Sequence, residues 1–169
     1  MTNKTLLTIT ILGLTALCAL PASVNAATSP LVGSWQFALT PSTAPNPAAA
    51  IPGLATFVSD GTIVETDGLE IAVKPPSSTG AATYSSPGHG VWQLGPSLTF
   101  YYVQYYSIVA NKNGTLAATN NTTMNLTLNS TGTSFTGSYT TELTSPSGTV
   151  LKTTTGTVSG TLIPHPALP

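Results

Sequence analysis

Leu31-Val32-Gly33-Ser34-Trp35-Gln36-Phe37 is the stretch of sequence that decides the fold. Its odd-numbered positions hold glycine or apolar residues, and the polar Ser34 and Gln36 lie between them. Alternation with a period of two is typical of a strand that buries one face. The stretch therefore predicts a first strand with Trp35 on its buried face, and Leu39 continues that face.

The residues before this strand have the features of a secretory leader. Lys4 supplies a positive charge, residues 6–20 are almost entirely apolar, and Val24-Asn25-Ala26 is a cleavage pattern. We expect cleavage after Ala26, which leaves a secreted chain of residues 27–169. Two alternatives are a membrane anchor and a lipoprotein signal at Cys18. The apolar run is shorter than the ~20 residues that span a bilayer, and Leu17 stands where a lipoprotein signal would have a small residue.

The composition limits the chemistry of the mature chain. Its length of about 140 residues suits one domain with one hydrophobic core, ending in a proline-rich tail at residues 164–169. Cleavage would remove the only cysteine, so no disulfide is expected. Only 5% of all residues are charged and arginine is absent. A basic patch is therefore excluded, and we expect no nucleic-acid partner and no membrane anchor after cleavage.

Eight strands are predicted from alternation and from turn residues. Asp60-Gly61 lies between two of them and predicts a hairpin with a type I′ turn. The strands follow one another as a meander, which favours an all-β, up-and-down barrel over a two-sheet sandwich. Glycines inside several strands also favour the strongly coiled sheet of a barrel. The predicted strands are residues 31–39, 54–59, 62–66, 90–94, 98–109, 122–129, 134–143 and 149–163.

Several motifs occur in the order found in one protein family. They are Gly33-Ser34-Trp35, Ala55-Thr56-Phe57 with Asp60-Gly61, Pro87-Gly88-His89-Gly90-Val91-Trp92, and Gly156-Thr157-Val158 with Gly160-Thr161. Together they resemble small secreted bacterial lipocalin-like barrels of the calycin type, whose function is not established. The resemblance implies a barrel with an apolar interior and Trp35 at its floor. Lipocalins proper also place an arginine over this tryptophan and carry a Thr-Asp-Tyr-type turn, and this chain lacks both.

The sequence offers few residues for catalysis or metal binding. His89 is the only histidine in the strand region, and one histidine with nearby carboxylates falls short of a metal site. We therefore expect no metal, no cofactor and no assigned catalytic residue. His89 is interpreted either as a turn residue or as a polar group at the mouth of a cavity.

A candidate binding site follows from one long loop and one aromatic run. The loop at residues 67–88 is rich in proline, and loops of this length often cover binding sites. In the run Phe100-Tyr101-Tyr102-Val103-Gln104-Tyr105-Tyr106 we expect Phe100, Tyr102 and Tyr106 to face inward with Leu98, either as core or as a ligand wall. The predicted ligand-binding residues are Trp92, His89, Phe100, Tyr102, Phe135 and Tyr139.

Three functions remain open at this level. The first is a barrel that binds a small hydrophobic ligand, the second is a barrel-type cyclase or isomerase, and the third is a non-catalytic protein whose barrel is filled. An eight-strand barrel is wide enough either for packed side chains or for one small ligand. The oligomeric state is open, as is glycosylation at the sequons of Asn113, Asn120, Asn121, Asn125 and Asn129.

Overall fold

The computed structural model describes residues 29–42, 50–68 and 83–164. This part of the chain contains strands and turns and no helix, as predicted. The predicted leader, residues 69–82 of the predicted loop and most of the predicted tail lie outside the described residues. The strands are β1 (Gly33–Pro41), β2 (Ile51–Phe57), β3 (Thr62–Asp67), β4 (Thr83–Ser85), β5 (Gly88–Leu94), β6 (Phe100–Asn111), β7 (Leu116–Leu128), β8 (Ser134–Thr144) and β9 (Val150–Leu162).

Eight of these strands form a closed antiparallel barrel. β1 pairs with β2 on one side and with β9 on the other, and the remaining neighbours are β2–β3, β3–β5, β5–β6, β6–β7, β7–β8 and β8–β9. The predicted meander and barrel are confirmed. The short β4 is an additional strand that pairs only with the C-terminal part of β6, where Tyr84 lies opposite Ala110.

The strands alternate between the barrel interior and the outer face. In β7 the side chains of Met124, Leu126 and Leu128 are buried, and those of Thr123, Asn125 and Thr127 are exposed. In β1 the buried residues are Trp35, Phe37 and Leu39, as the opening stretch predicts. The outer positions of β7, β8 and β9 hold mainly threonine, serine and asparagine. The core therefore lies inside the barrel, and neutral polar groups form much of its outer surface.

The predicted orientation of β6 is wrong. Tyr101, Val103 and Tyr105 point inward and are buried, whereas Leu98, Tyr102 and Tyr106 are 79%, 42% and 53% exposed. The predicted pattern is one residue out of phase because aromatic residues occupy both odd and even positions of the run. Alternation cannot decide the phase of such a strand, and a shift of one residue reverses every side chain.

The hairpin at Asp60-Gly61 is present, but its predicted turn type is wrong. A type I′ turn needs positive φ at two residues, and Gly61 alone has it here, at 90°. The Gly61 N–H donates to the Val58 carbonyl and the Val58 N–H to the Thr62 carbonyl. This makes a three-residue loop with a glycine bulge. The same pattern recurs around Gly114 and Gly148.

Candidate functional site

One end of the barrel interior is filled by aromatic rings, here called the aromatic end. Trp92 packs edge-on against both Phe57 and Tyr101, with ring centroids 6.4 and 5.8 Å apart. Trp35 packs against Phe135 at 5.1 Å. The indole N–H groups are bonded as well, Trp92 donating to the Val58 carbonyl at 3.0 Å. This end is therefore a packed floor, and Trp35 lies in it with no exposed surface, as predicted.

The opposite half of the interior is lined by hydroxyl and carboxyl groups, and we call it the polar end. These side chains come from four strands, and each is at most 6% exposed. The register brings them together, since Tyr105 lies directly opposite Thr122 on β7. The polar end consists of Glu65, Tyr105, Ser107, Thr122 and Tyr139.

Hydrogen bonds connect several of these groups. The Thr122 and Thr141 hydroxyls lie 2.8 Å apart, which joins β7 to β8 inside the barrel. The Ser107 hydroxyl accepts from Asn120 Nδ2 and from the Ser85 hydroxyl, both at 3.4 Å. Hydrogen bonds of this kind offset the cost of burying polar groups, and they therefore stabilise the polar end.

The tyrosines of the polar end are held in their neutral form. Burial raises the pKa of the Tyr105 phenol well above its ordinary value, and the negative charge of Glu65 raises it further, although a hydrogen bond with Thr122 acts in the opposite direction. Burial also raises the pKa of Tyr139. At neutral pH both phenols therefore keep their protons and can donate hydrogen bonds.

The Tyr139 hydroxyl is buried and has no hydrogen-bond partner among the described residues. Tyr139 is only 4% exposed, and its ring covers Gly156 on β9, which it faces directly in the register. A buried polar group without a partner costs about 1–3 kcal/mol and calls for an explanation such as a bound molecule. Tyr139 therefore offers a buried hydroxyl donor that no described residue accepts.

The six predicted ligand-binding residues do not form one cluster. Trp92 and Phe135 belong to the aromatic end and Tyr139 to the polar end, so these three face the interior. The other three point outward: His89 and Tyr102 are exposed, and Phe100, which packs against Tyr102 with centroids 5.1 Å apart, is half-buried. The prediction that Phe100 and Tyr102 face inward is wrong. His89, interpreted as a turn residue or as a polar group at the mouth of a cavity, lies within β5 with an exposed side chain. Phe100 and Tyr102 follow the β6 phase error, and His89 lies directly opposite Tyr106 on the outer face.

Glu65, Tyr105 and Thr122 were not among the residues predicted for the site. A usable signal was present for Glu65, since it shares strand parity with the apolar Ile63, and Ile63 is fully buried. Tyr105 is missed because it lies on the face of β6 opposite to Phe100, Tyr102 and Tyr106, the residues predicted to face inward. Thr122 carries no signal of its own, because most outward positions of β7 are also polar.

The described residues contain no group of three or more histidine, cysteine, aspartate or glutamate side chains that could hold a metal ion. In the same part of the chain no helix is long and apolar enough to cross a membrane. Comparison of the whole chain with protein-family models, with curated proteins and with solved structures found no match.

Proposed function

We propose that the barrel binds one small, mainly apolar molecule with a polar group, which accepts a hydrogen bond from Tyr139 at the polar end. The observation that carries the proposal is the buried Tyr139 hydroxyl without a partner among the described residues. The apolar body of the ligand would lie against the aliphatic side chains that separate the two ends, such as Leu39 and Val158. Their contact area would supply most of the affinity, at ~25 cal/mol per Å².

The protonation of the two tyrosines fits a binding role for the site. A general base at neutral pH must be able to give up its own proton readily, and both tyrosines of the polar end have raised pKa values. Such groups orient a ligand through hydrogen bonds. This is the usual task of the few polar groups in an otherwise apolar pocket, and it agrees with the lipocalin-like resemblance.

The proposal also includes export of the chain. The apolar leader and the pattern ending at Ala26 are its support. N-terminal sequencing of protein from the producing cells should give Ala27 as the first residue. An intact Met1 in the extracellular fraction would contradict it.

Two measurements test the binding function. Native mass spectrometry of the protein from its source should show a co-purifying small molecule, and a panel of apolar fluorescent probes should include one bound more tightly than about millimolar. Tyr139→Phe should weaken that probe's binding about tenfold if the probe carries an acceptor. Tyr106→Phe on the outer face is the matched control and should leave the affinity unchanged.

The stability of Tyr139→Phe distinguishes a ligand-binding role of Tyr139 from a structural role. Because Tyr139→Phe removes a buried hydroxyl without a described partner, the variant without ligand should be as stable as the native chain or more stable, by up to about 1–3 kcal/mol. A variant that binds less tightly yet unfolds no more easily identifies a ligand contact. If no probe binds and nothing co-purifies, the barrel is filled and the proposal fails.

A further inference from the structure

A second surface, on the outside of the barrel, has the features of a binding site. The outer face of β5, β6 and β7 carries a depression of about 350 Å³. Its backbone floor includes Trp92, Val103 and Met124, whose side chains point into the core. The outward side chains that form it are Val91, Gln93, Tyr102, Gln104, Thr123 and Asn125. The exposed Tyr106 lies beside this depression and is bonded to Gln104, and we call the depression together with Tyr106 the tyrosine groove.

The register arranges this groove in rows across the three strands. Tyr102 lies between Gln93 and Asn125, each directly opposite it on a neighbouring strand. Four residues further along β6, Tyr106 lies between His89 and Asn121 in the same way. Side chains directly opposite one another are within contact distance. Each exposed phenol ring is therefore flanked on both sides by polar side chains.

Gln104 occupies the position between the two tyrosines. Its amide nitrogen donates to the Tyr106 hydroxyl and to the Asn121 Oδ1 atom, both at 3.0 Å. Both hydrogens of the amide nitrogen are used in these two bonds. The amide oxygen is therefore the group that is left to accept a hydrogen bond from a ligand. The orientation of this side chain is fixed before any ligand arrives.

The groove is uncharged and semi-apolar. Neither the six outward side chains of the depression nor Tyr106 carries a charge, and the described lysines, Lys112 and Lys152, belong to a turn and to β9. Anionic ligands therefore find no counter-charge in the groove. A protein partner is also a poorer match, because amides and hydroxyls interrupt the apolar surface that the centre of a protein interface usually needs.

We propose that the tyrosine groove binds an uncharged oligosaccharide. A sugar ring has apolar C–H groups on its faces and hydroxyl groups around its rim. The rings of Tyr102 and Tyr106 pack against such faces, and the amides of Gln93, Gln104 and Asn125 bond the rim hydroxyls. Four strand residues span about 13 Å, more than the width of one sugar ring, so the two tyrosines define separate subsites on an extended chain. This site is independent of the interior site of the proposed function.

Affinity electrophoresis of the full chain tests this inference. Native gels containing dextran, laminarin or xyloglucan serve as neutral probes, and gels containing heparin serve as the anionic probe. We expect retardation by at least one neutral polysaccharide and none by heparin. Tyr102→Ala should weaken binding to the retarding polysaccharide about tenfold, the effect of losing one ring contact, and Tyr106→Ala should act similarly. Gln104→Ala should also weaken binding while keeping both rings.

Two control variants keep the test specific. Leu54→Ala removes an exposed apolar side chain from the outer face of β2, and Tyr139→Phe alters the interior. Both should migrate as the native chain does. Urea unfolding checks that each groove variant is folded. The inference is overturned if no neutral polysaccharide retards the protein, or if the groove variants are retarded as strongly as the native chain. Sedimentation that shows a dimer dissociated by Tyr102→Ala would assign the surface to a second copy instead.

Discussion

The indole N–H of Trp35 donates a hydrogen bond of 2.9 Å to the backbone carbonyl of Leu31, four residues earlier. Both residues are fully buried. The bond ties the turn that precedes β1 to the ring that closes the aromatic end. A second contact reinforces it, because the Ser29 hydroxyl donates to Tyr101, whose own hydroxyl donates to the Leu98 carbonyl. The segment that precedes β1 therefore also closes the aromatic end of the barrel.

Trp35→Ala should destabilise the protein by about 3–5 kcal/mol, the usual cost of truncating a large buried aromatic side chain. The variant loses the contact with Phe135 and leaves the Leu31 carbonyl without its indole donor. Urea unfolding followed by far-UV circular dichroism measures the change. Leu98→Ala is the control, since Leu98 is 79% exposed, and it should change stability by less than about 0.5 kcal/mol. A loss below ~1 kcal/mol for Trp35→Ala would show that the ring is not part of the core.

Gly90→Ala should destabilise the barrel by about 1–3 kcal/mol or more, because the added methyl group overpacks a tight contact. A Cβ atom at this position would lie 1.9 Å from the backbone oxygen of Gln104 and 2.5 Å from Cα of Tyr105. Backbone atoms of β6 cannot move aside without breaking the ladder. Thermal unfolding of Gly90→Ala and of the native chain at one pH measures this loss of stability.

Gly68→Ala is the matched control for Gly90→Ala, since the atom nearest to a Cβ at position 68 would be 3.4 Å away. Here the methyl group makes ordinary contacts and reduces the freedom of the unfolded chain, so stability should stay the same or rise by about 0.4–1 kcal/mol. Equal losses at both positions would refute the tight packing of β5 against β6.

Stability should fall as the pH rises above about 10, the ordinary pKa of tyrosine. Burial and the charge of Glu65 raise the pKa of Tyr105 in the folded state. In this range the unfolded chain has already lost the phenol proton that the folded chain keeps, so proton loss favours unfolding. Tyr105→Phe should reduce the slope of unfolding free energy against pH between pH 9 and 11. An unchanged slope would show that Tyr105 is not responsible.

The turn at Asp60 should contribute to stability at neutral pH and lose that contribution in acid. Hydrogen bonds from Thr62 lower the pKa of the Asp60 carboxyl in the folded state, including one from its backbone N–H at 2.8 Å. A carboxyl group whose pKa is lower in the folded chain than in the unfolded chain stabilises the fold at pH values above its unfolded pKa. That stabilisation is lost as the pH falls through its folded pKa. The stability difference between the native chain and Asp60→Asn should therefore shrink below about pH 4. A difference that is equal at pH 7 and pH 2.5 would contradict this.

Strand positions were predictable where apolar and polar residues alternate, and uncertain where they do not. β7 alternates strictly between Met124, Leu126 and Leu128 and the polar residues among them, so its inner face was predicted correctly. β6 has bulky residues on both faces. Which face is buried depends on contacts with neighbouring strands, and the local sequence pattern carries no information about those contacts. The three-residue β4 lies at the end of a proline-rich stretch and depends entirely on pairing with β6.

The candidate site was harder to predict than the fold. Histidine and aromatic residues are the usual signals of a binding site, but the side chains of His89, Phe100 and Tyr102 point away from the barrel interior. The polar end depends on hydroxyl groups from several strands, and Thr122 looks like any surface threonine until the register places it inside. The floor was predictable because Trp35 lies in a strand with clear alternation.

The ladder between β1 and β9 also determines the order in which the chain can finish folding. It joins Trp35 to Leu162 and Pro41 to Gly156, residues from opposite ends of the described chain. Contacts this distant in sequence form slowly, and none of them can form on a growing chain until β9 has been synthesised. Until then β1 and β8 each present an unpaired edge, the kind of surface at which chains aggregate. Loss of β9 would therefore leave two open edges, one on the preceding β8 and one on β1, which lies at the other end of the described chain.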